Sequence, residues 1–181
     1  ANAAPQFDDI SYWELTEGQS LFFRAFAFDP DNPSFVPPFR KSDGSLLDVE
    51  ETAASVVVTA SGLPAGATFD PDTWEMMWAP SFTQAGEYLV TFVATDDGNG
   101  TGLPLLAQTT SRIVVANANR PPHILAIDNR TMVRGETLDV PVIATDPDGN
   151  PVEITVQGLP AFGTYTSTGI GTGTIRFTPG Q

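Results

Sequence analysis

Residues 87–93 read Glu-Tyr-Leu-Val-Thr-Phe-Val, so on an extended chain Tyr88, Val90 and Phe92 share one face and Leu89 and Val93 the other. Two apolar faces predict a central strand of a sandwich, packed between its neighbours. Shorter runs at 20–28, 55–60, 68–69, 75–78 and 109–115 are also rich in aromatic and β-branched residues, and Gly, Pro or Asp turns separate them. About seven strands are predicted before residue 117. Gly 16 and Pro 16 in 181 residues fit many punctuated strands and argue against long helices.

The pattern repeats. Residues 2–31 recur 117 positions later, with Asn2/Asn119, Pro5/Pro122, Ile10/Ile127, Gly18/Gly135, Leu21/Leu138, Ala27/Ala144 and the Asp29-Pro30-Asp31/Asp146-Pro147-Asp148 triplet identical in register. Gly62-Leu63-Pro64-Ala65 recurs as Gly158-Leu159-Pro160-Ala161, only 96 residues on, so the first copy carries an insertion between Asn32 and Ser55. That insertion is expected to be a surface loop over 33–54. Trp78-Ala79-Pro80 answers Phe177-Thr178-Pro179, after which the sequence of the second copy stops without counterparts of 87–94 and 109–115. The expected organisation is therefore all-β: a Greek-key sandwich over 1–117 built from antiparallel strands, and a second, truncated copy over 118–181. Its unpaired edges would need a neighbouring segment, strand exchange with another chain, or continuation of the polypeptide.

Charge narrows the partners. Eight basic against 22 acidic residues, net −14, repel nucleic-acid phosphates and anionic lipid surfaces. Lys41 is the only lysine, a composition common in salty or calcium-rich surroundings. With Cys 0 there is no disulfide, thiolate metal site or thiol nucleophile. No run reaches the roughly 18 apolar residues of a membrane span, and Ala1 opens without a signal-peptide pattern, so the chain reads as a mature segment or a cut-out of a longer protein.

Glu17-Gly18-Gln19, Ala27-Phe28-Asp29-Pro30-Asp31, Gly62-Leu63-Pro64-Ala65-Gly66, Phe69-Asp70, Trp78-Ala79-Pro80, Ala85-Gly86-Glu87-Tyr88 and Ala94-Thr95-Asp96-Asp97-Gly98 occur in that order. Arg134-Gly135-Glu136, Ala144-Thr145-Asp146-Pro147-Asp148-Gly149 and Gly158-Leu159-Pro160 repeat them. In these motifs the chain resembles the cadherin-like, dystroglycan-type and immunoglobulin-like tandem repeats of bacterial surface and secreted proteins. The resemblance implies immunoglobulin-like sandwiches in an extracellular or cell-surface, membrane-associated protein, working in cell adhesion or as a spacer with neighbouring repeats as partners.

It also implies calcium ion binding. Alternating strands gather Asn2, Asp29, Asp31 and Asp96, with Asp97 beside them, at one pole of the first copy, and these are hard oxygen ligands of the kind Ca²⁺ takes in sets of six to eight. In cadherins, similar positions cradle Ca²⁺ at the junction with the preceding domain. The junction inside this chain would draw on Glu14 or Glu17, on Asn117 and Asn119 of the linker, and on Asp146 and Asp148. Two departures weaken it: Ser81-Phe82-Thr83-Gln84 stands where an acidic stretch is expected, and Ala118 where the linker would carry Asp. For both Asp-Pro-Asp triplets a second reading stands beside the ligand role, a turn in which Asp caps backbone amides and Pro sets φ.

Catalytic constellations do not assemble. His123, the one histidine, follows Pro121-Pro122 and reads as a solvated or interdomain side chain; no phosphate loop, zinc spacing or nucleophile elbow occurs. Asp70-Pro71-Asp72 falls in a hairpin turn with no implied pocket. The insertion offers Phe35-Val36-Pro37-Pro38-Phe39, then Arg40-Lys41 and acidic 48–51, either as a partner surface or folded back over a sandwich edge. No enzyme is expected. The alternative function is a carbohydrate-binding accessory module of a polysaccharide-degrading enzyme, using Trp13, Trp74 or Trp78 as a stacking platform, although two of these fall at expected core positions. The ligand would then be a glycan and not a protein.

Overall fold

The computed structural model describes residues 1–47, 55–100 and 102–181, and divides into two compact units, Ala1–Ala118 and Asn119–Gln181. All regular elements among these residues are strands. The first unit holds β1 (Gln6–Phe7), β2 (Tyr12–Thr16), β3 (Leu21–Arg24), β4 (Ala27–Phe28), β5 (Val56–Ser61), β6 (Thr68–Asp70), β7 (Glu75–Trp78), β8 (Gly86–Asp96) and β9 (Leu106–Ala116). One sheet runs β2-β9-β8-β5, the facing one β3-β7-β6, and β1 pairs with β4.

One feature corrects the all-antiparallel expectation: β2 runs parallel to β9, Trp13 opposite Ile113 and Leu15 opposite Val115. The cause is a change of sheet early in the chain. After pairing with β4, the backbone turns at Asp9, whose carboxylate accepts from the Ser11 amide (3.0 Å) and hydroxyl (2.6 Å). Ile10 enters the core there, and the Arg112 amide donates to the Ser11 carbonyl (2.8 Å), starting the parallel ladder. The sequence reading omits β1 and β2. β1 is two residues long; in β2 the signal was available, since Leu15 is buried and Trp13 half-buried while Tyr12 and Glu14 are exposed.

β8 lies between β5 and β9, as a central strand should. Its two apolar faces nevertheless meet different surroundings: Val90, Phe92 and Ala94 are fully buried, whereas Leu89 on the outer face is 58 % exposed. Phe92 touches the opposite sheet through Phe23 (centroids 5.9 Å) and Phe69 (5.5 Å), and Trp13 stacks on Phe23 at 4.5 Å. Near the start of β8, Tyr88 packs edge-on against Trp78 (4.8 Å) and its hydroxyl donates back to the Gln84 carbonyl (3.0 Å), the tyrosine corner of immunoglobulin-type sandwiches.

Trp74 sits in the β6–β7 turn at φ 60, a left-handed conformation that bulky side chains avoid. Burial outweighs that cost: the ring is 2 % exposed, against Phe26 (6.0 Å) and Phe35 (5.8 Å). Phe35 thus folds back, as one reading of the insertion expected, and Phe39 lies under the Arg24 guanidinium at 4.3 Å while remaining half exposed. Arg24 pins the segment by donating to the Pro37 (2.8 Å) and Pro38 (3.1 Å) carbonyls, and Arg40 pairs with Asp70 (2.7 Å) and Asp72 (3.2 Å). The acidic stretch 48–51 lies outside the described residues.

The second unit contains β10 (His123–Ile124), β11 (Leu138–Thr145), β12 (Gly163–Gly169) and β13 (Thr172–Phe177), one antiparallel sheet in the order β10-β11-β13-β12. Every pairing shared with the first unit keeps its register. His123↔Thr145 repeats Gln6↔Phe28, Leu138↔Phe177 repeats Leu21↔Trp78, and Tyr165↔Ile175 repeats Phe69↔Met76. Only the β2-β9-β8-β5 sheet lacks a counterpart among the described residues. Residues 152–157, equivalent to β5, form no ladder, for a simple reason: β5 is an edge strand whose sole neighbour is β8.

Gly171 fixes how that segment lies. Its amide donates to the Val152 carbonyl and its carbonyl accepts from the Ala144 amide, 2.8 Å each, at φ +64 with the Ala144 oxygen under 3.0 Å from where a Cβ would stand. Gly171→Ala is expected to cost the second unit roughly 2–3 kcal/mol, from left-handed strain plus a clash with backbone. The check is hydrogen exchange, with faster exchange of β11 and β13 amides and no change in the first unit.

Candidate functional site: the acidic turns

At the first unit's acidic pole the N-terminal segment ties two turns together. The Ala3 amide donates to Asp31 Oδ2 (2.6 Å), while Asn2 Nδ2 donates to both oxygens of Asp96 (3.0 Å each) and to the Leu103 carbonyl (3.2 Å). Asp29 and Asp96 are buried, 4 % and 5 % exposed. Asp29 Oδ1 accepts from the Asp31 amide (2.9 Å), so the Asp-Pro-Asp triplet is a capped turn. Asp96 Oδ1 accepts from the Gly98 (2.8 Å) and Leu105 (2.9 Å) amides. Burial pushes the Asp96 carboxyl up, but donation from Asn2, Leu105 and Gly98 outweighs it and holds the group below its ordinary value. Asp97 is exposed and caps the Asn99 amide (2.8 Å).

Does this donor set suit a divalent cation? Three carboxylates and an amide are the hard oxygens Ca²⁺ prefers, and Asn2 Oδ1 is a buried atom with no hydrogen-bond partner. Among the described residues no basic side chain pairs with Asp29, Asp31 or Asp96. Against this, among the described residues no three His, Cys, Asp or Glu side chains group closely enough to hold a metal by themselves. The fit is partial.

The second copy answers the same geometry differently. Asp146 Oδ1 accepts from the Asp148 amide (2.8 Å), matching Asp29, and Asp148 Oδ2 accepts from the Arg120 amide (2.5 Å), matching Asp31 with Ala3. Where the first copy has alanine, however, the second has Arg120, whose guanidinium reaches Asp148 Oδ1 (Nε 2.9 Å, Nη2 2.8 Å) and the Pro147 carbonyl (2.8 Å). Arg120 holds the Asp148 carboxyl below its ordinary value. A resident cation already compensates this turn, so the second copy's donor set fits Ca²⁺ less well.

The remaining candidates have separate local partners. Glu17 is 4 % exposed and clamps the Ala85 (2.7 Å) and Ala118 (3.1 Å) amides, whereas Glu14 lies on the exposed face of β2 and accepts from the Tyr12 hydroxyl (3.2 Å). Asn117 is exposed, and Asn119 accepts from Asn150 (2.7 Å). The sequence offers Glu14 or Glu17 as a ligand and gives no local signal of the clamp, whose amides lie 68 and 101 residues from Glu17. Asp70 and Asp72 are the anchor of Arg40, and that pairing holds the Asp70 carboxyl down. His123 is exposed on β10, with Nε2 3.2 Å from the Thr145 hydroxyl. Trp74 and Trp78 are core residues and Trp13 stacks on Phe23, so the tryptophans are engaged inside the sandwich.

Fold and corner together define an immunoglobulin-like β-sandwich. Residues 29–116, just under half of the chain, match the family described as "Putative Ig domain". The extracellular cadherin domains 1–5 of protocadherin gamma B2 are similar over 96 % of this chain and 32 % of that one, at 15 % identity and a TM-score of 0.50. Human protocadherin-24 domains EC1–2 (18 % identity, TM-score 0.48, 99 % of this chain and 79 % of that one) are also similar. So is an endo-fucoidan hydrolase of glycoside hydrolase family 107 (17 %, 0.41, 98 % and 24 %). The chain spans between 18 % and 32 % of the length of the first structures it matches. No curated protein sequence matches it. Among the described residues no helix is long and apolar enough to cross a membrane.

Proposed function

We propose that the chain forms non-catalytic immunoglobulin-like repeats of a larger extracellular surface or secreted protein, an adhesion or spacer segment stiffened by Ca²⁺ at its acidic turns. Two copies with one strand register support a modular, repeated role. The aromatic side chains that could have formed a sugar platform hold the two sheets together instead. The observation that carries the calcium part is the contrast between copies: Asp148 has the Arg120 guanidinium, while among the described residues Asp29, Asp31 and Asp96 have no basic partner, and Asn2, which bonds Asp96, has an orphaned Oδ1. Asn2, Asp29, Asp31 and Asp96 would hold the ion, which supplies charge compensation and cross-links turns that otherwise repel one another.

The test is calorimetric titration of the 181-residue chain with Ca²⁺, followed by thermal unfolding. The expected result is weak binding, of order millimolar as for extracellular modules, a rise in the first unit's Tm, and loss of both in Asp31→Asn. Equal Tm values in millimolar Ca²⁺ and in chelator would overturn the calcium part.

A further inference from the structure

Four aspartyl or asparaginyl residues precede glycine in the chain: Asp43-Gly44, Asp97-Gly98, Asn99-Gly100 and Asp148-Gly149. Such pairs share one chemical weakness. Glycine has no Cβ to shield its amide nitrogen, which can reach the preceding side-chain carbonyl carbon and close a five-membered imide. The structure guards three of the four, because their glycine amides are already donors. Gly44 donates to the Lys41 carbonyl (2.9 Å), Gly98 to Asp96 Oδ1 (2.8 Å) and Gly149 to the Asp146 carbonyl (3.1 Å). Gly100 is the exception: among the described residues its amide has no hydrogen-bond partner, and neither has the Asn99 side chain. Both residues are exposed in the β8–β9 connection, at φ 44 for Asn99 and 70 for Gly100, and nothing lies within 4 Å of where a Cβ on Gly100 would stand. The leaving group points the same way. A carboxamide can expel ammonia, whereas an aspartyl carboxylate is ionised at neutral pH and resists attack.

We propose that Asn99-Gly100 is a self-modification site, an imide-forming pair that converts to an aspartyl or isoaspartyl link as the protein ages and so adds negative charge to the acidic pole. The Gly100 nitrogen, its proton taken by solvent base, attacks Asn99 Cγ; the N–Cγ bond forms, the Cγ–Nδ2 bond breaks, and Nδ2 leaves as ammonia after taking a proton from water. Water then opens the imide. Breaking the bond from the Gly100 nitrogen to Cγ leaves an ordinary aspartyl residue, while breaking its bond to the Asn99 main-chain carbonyl carbon leaves an isoaspartyl one, with Cβ in the backbone. The net exchange is one water for one ammonia, with solvent as the only co-reactant. Either product puts a carboxylate two residues from Asp97. The isoaspartyl form also lengthens a connection that is closely packed, since a Cβ on Gly98 would stand 3.0 Å from the Leu103 nitrogen, and the Gly98 and Leu105 amides on either side of it both hold Asp96. The Asn2 side chain bonds the Leu103 carbonyl (3.2 Å) of the same connection, so conversion at 99 acts on the tie between the N-terminal segment and this turn.

The test ages the intact 181-residue chain in mildly alkaline buffer and maps every asparaginyl and aspartyl site by electron-transfer mass spectrometry. Asn99 is expected to convert roughly tenfold faster than Asn117, which is also exposed but precedes Ala118, a barrier lower by about 1.4 kcal/mol. Both aspartyl and isoaspartyl products should appear at 99. Positions 43, 97 and 148 should gather isoaspartate only when the chain is unfolded in urea, which frees their glycine amides. Gly100→Ala should slow the conversion roughly tenfold by shielding the nitrogen, and Asn99→Gln should abolish it on the same timescale. Conversion at Asn99 no faster than at Asn117 would overturn the proposal. So would an aspartyl product alone, which marks direct hydrolysis without an imide, or equal isoaspartate at Asp97-Gly98 in the folded chain. Chelator is present throughout, so the outcome is independent of the calcium reading.

Discussion

Phe92→Ala should remove about 4 kcal/mol from the first unit, the largest single loss expected in the chain. Phe92 is fully buried at the middle of β8, and its ring is the bridge to β3 and β6 of the facing sheet through Phe23 and Phe69. Truncation forfeits the transfer free energy of the ring and both edge-on contacts, and leaves a cavity that neighbours in the sheets cannot close. A domain of this size holds roughly 5–15 kcal/mol in total, so the variant should unfold about 15 °C lower. Leu89→Ala is the control, on the same strand but 58 % exposed; it should stay within about 1 kcal/mol of the parent. All three tryptophans lie in the first unit, which lets their fluorescence read its transition alone. Equal losses for the two variants would contradict the assignment of faces.

Asp96→Ala is expected to cost the same unit about 2–3 kcal/mol and to change its response to acid. The carboxylate satisfies the Asn2 side chain and the Gly98 and Leu105 amides while 5 % exposed, so its removal strands three donors. Because the folded carboxyl is held below its ordinary value of 3.8, its contribution is fully present above that value. It is lost as pH falls below 3.8 toward and through the folded pKa. Urea midpoints measured from pH 7 downward should therefore fall below about pH 4 in the parent and fall less steeply in Asp96→Ala. Some acid sensitivity should persist, since Arg40 holds Asp70 down in the same unit. Parallel acid limbs in parent and variant would show that Asp96 is not the group responsible.

Much of the fold is legible in periodicity and repetition. Alternation in β8, and aromatic or β-branched runs between turns in β5, β7 and β9, locate these strands to within a few residues. β1 and the break between β3 and β4 escape, since two-residue ladders carry no period; Ala25 there bonds the Trp74 carbonyl (2.8 Å) and no longer a regular partner. The parallel pairing of β2 is equally illegible. It depends on where the backbone changes sheet, a matter of the Asp9 turn and the seat of Ile10.

The acidic turns are legible as residue types in register, but their individual partners are not. Nothing in the Asp-Pro-Asp triplets distinguishes Asp31 from Asp148; the difference lies in Ala3 against Arg120, 28 residues upstream of each. A similar exchange occurs on the outer sheet face. The exposed pair Phe22↔Met77 of the first copy becomes the ion pair Asp139–Arg176 (2.7 Å) of the second, so the blueprint fixes register and inner faces while outer positions vary freely.

The most direct measurement is residue-resolved hydrogen exchange on the 181-residue chain alone. If one sandwich plan is present twice, the second copy having no counterpart of the β2-β9-β8-β5 sheet among its described residues, paired amides of β3 and β7 should be protected, and so should those at the equivalent positions of β11 and β13. Amides of 153–157 should exchange freely while those of β5 do not. Protection across 153–157 in the isolated chain, or free exchange throughout β11 and β13, would contradict it.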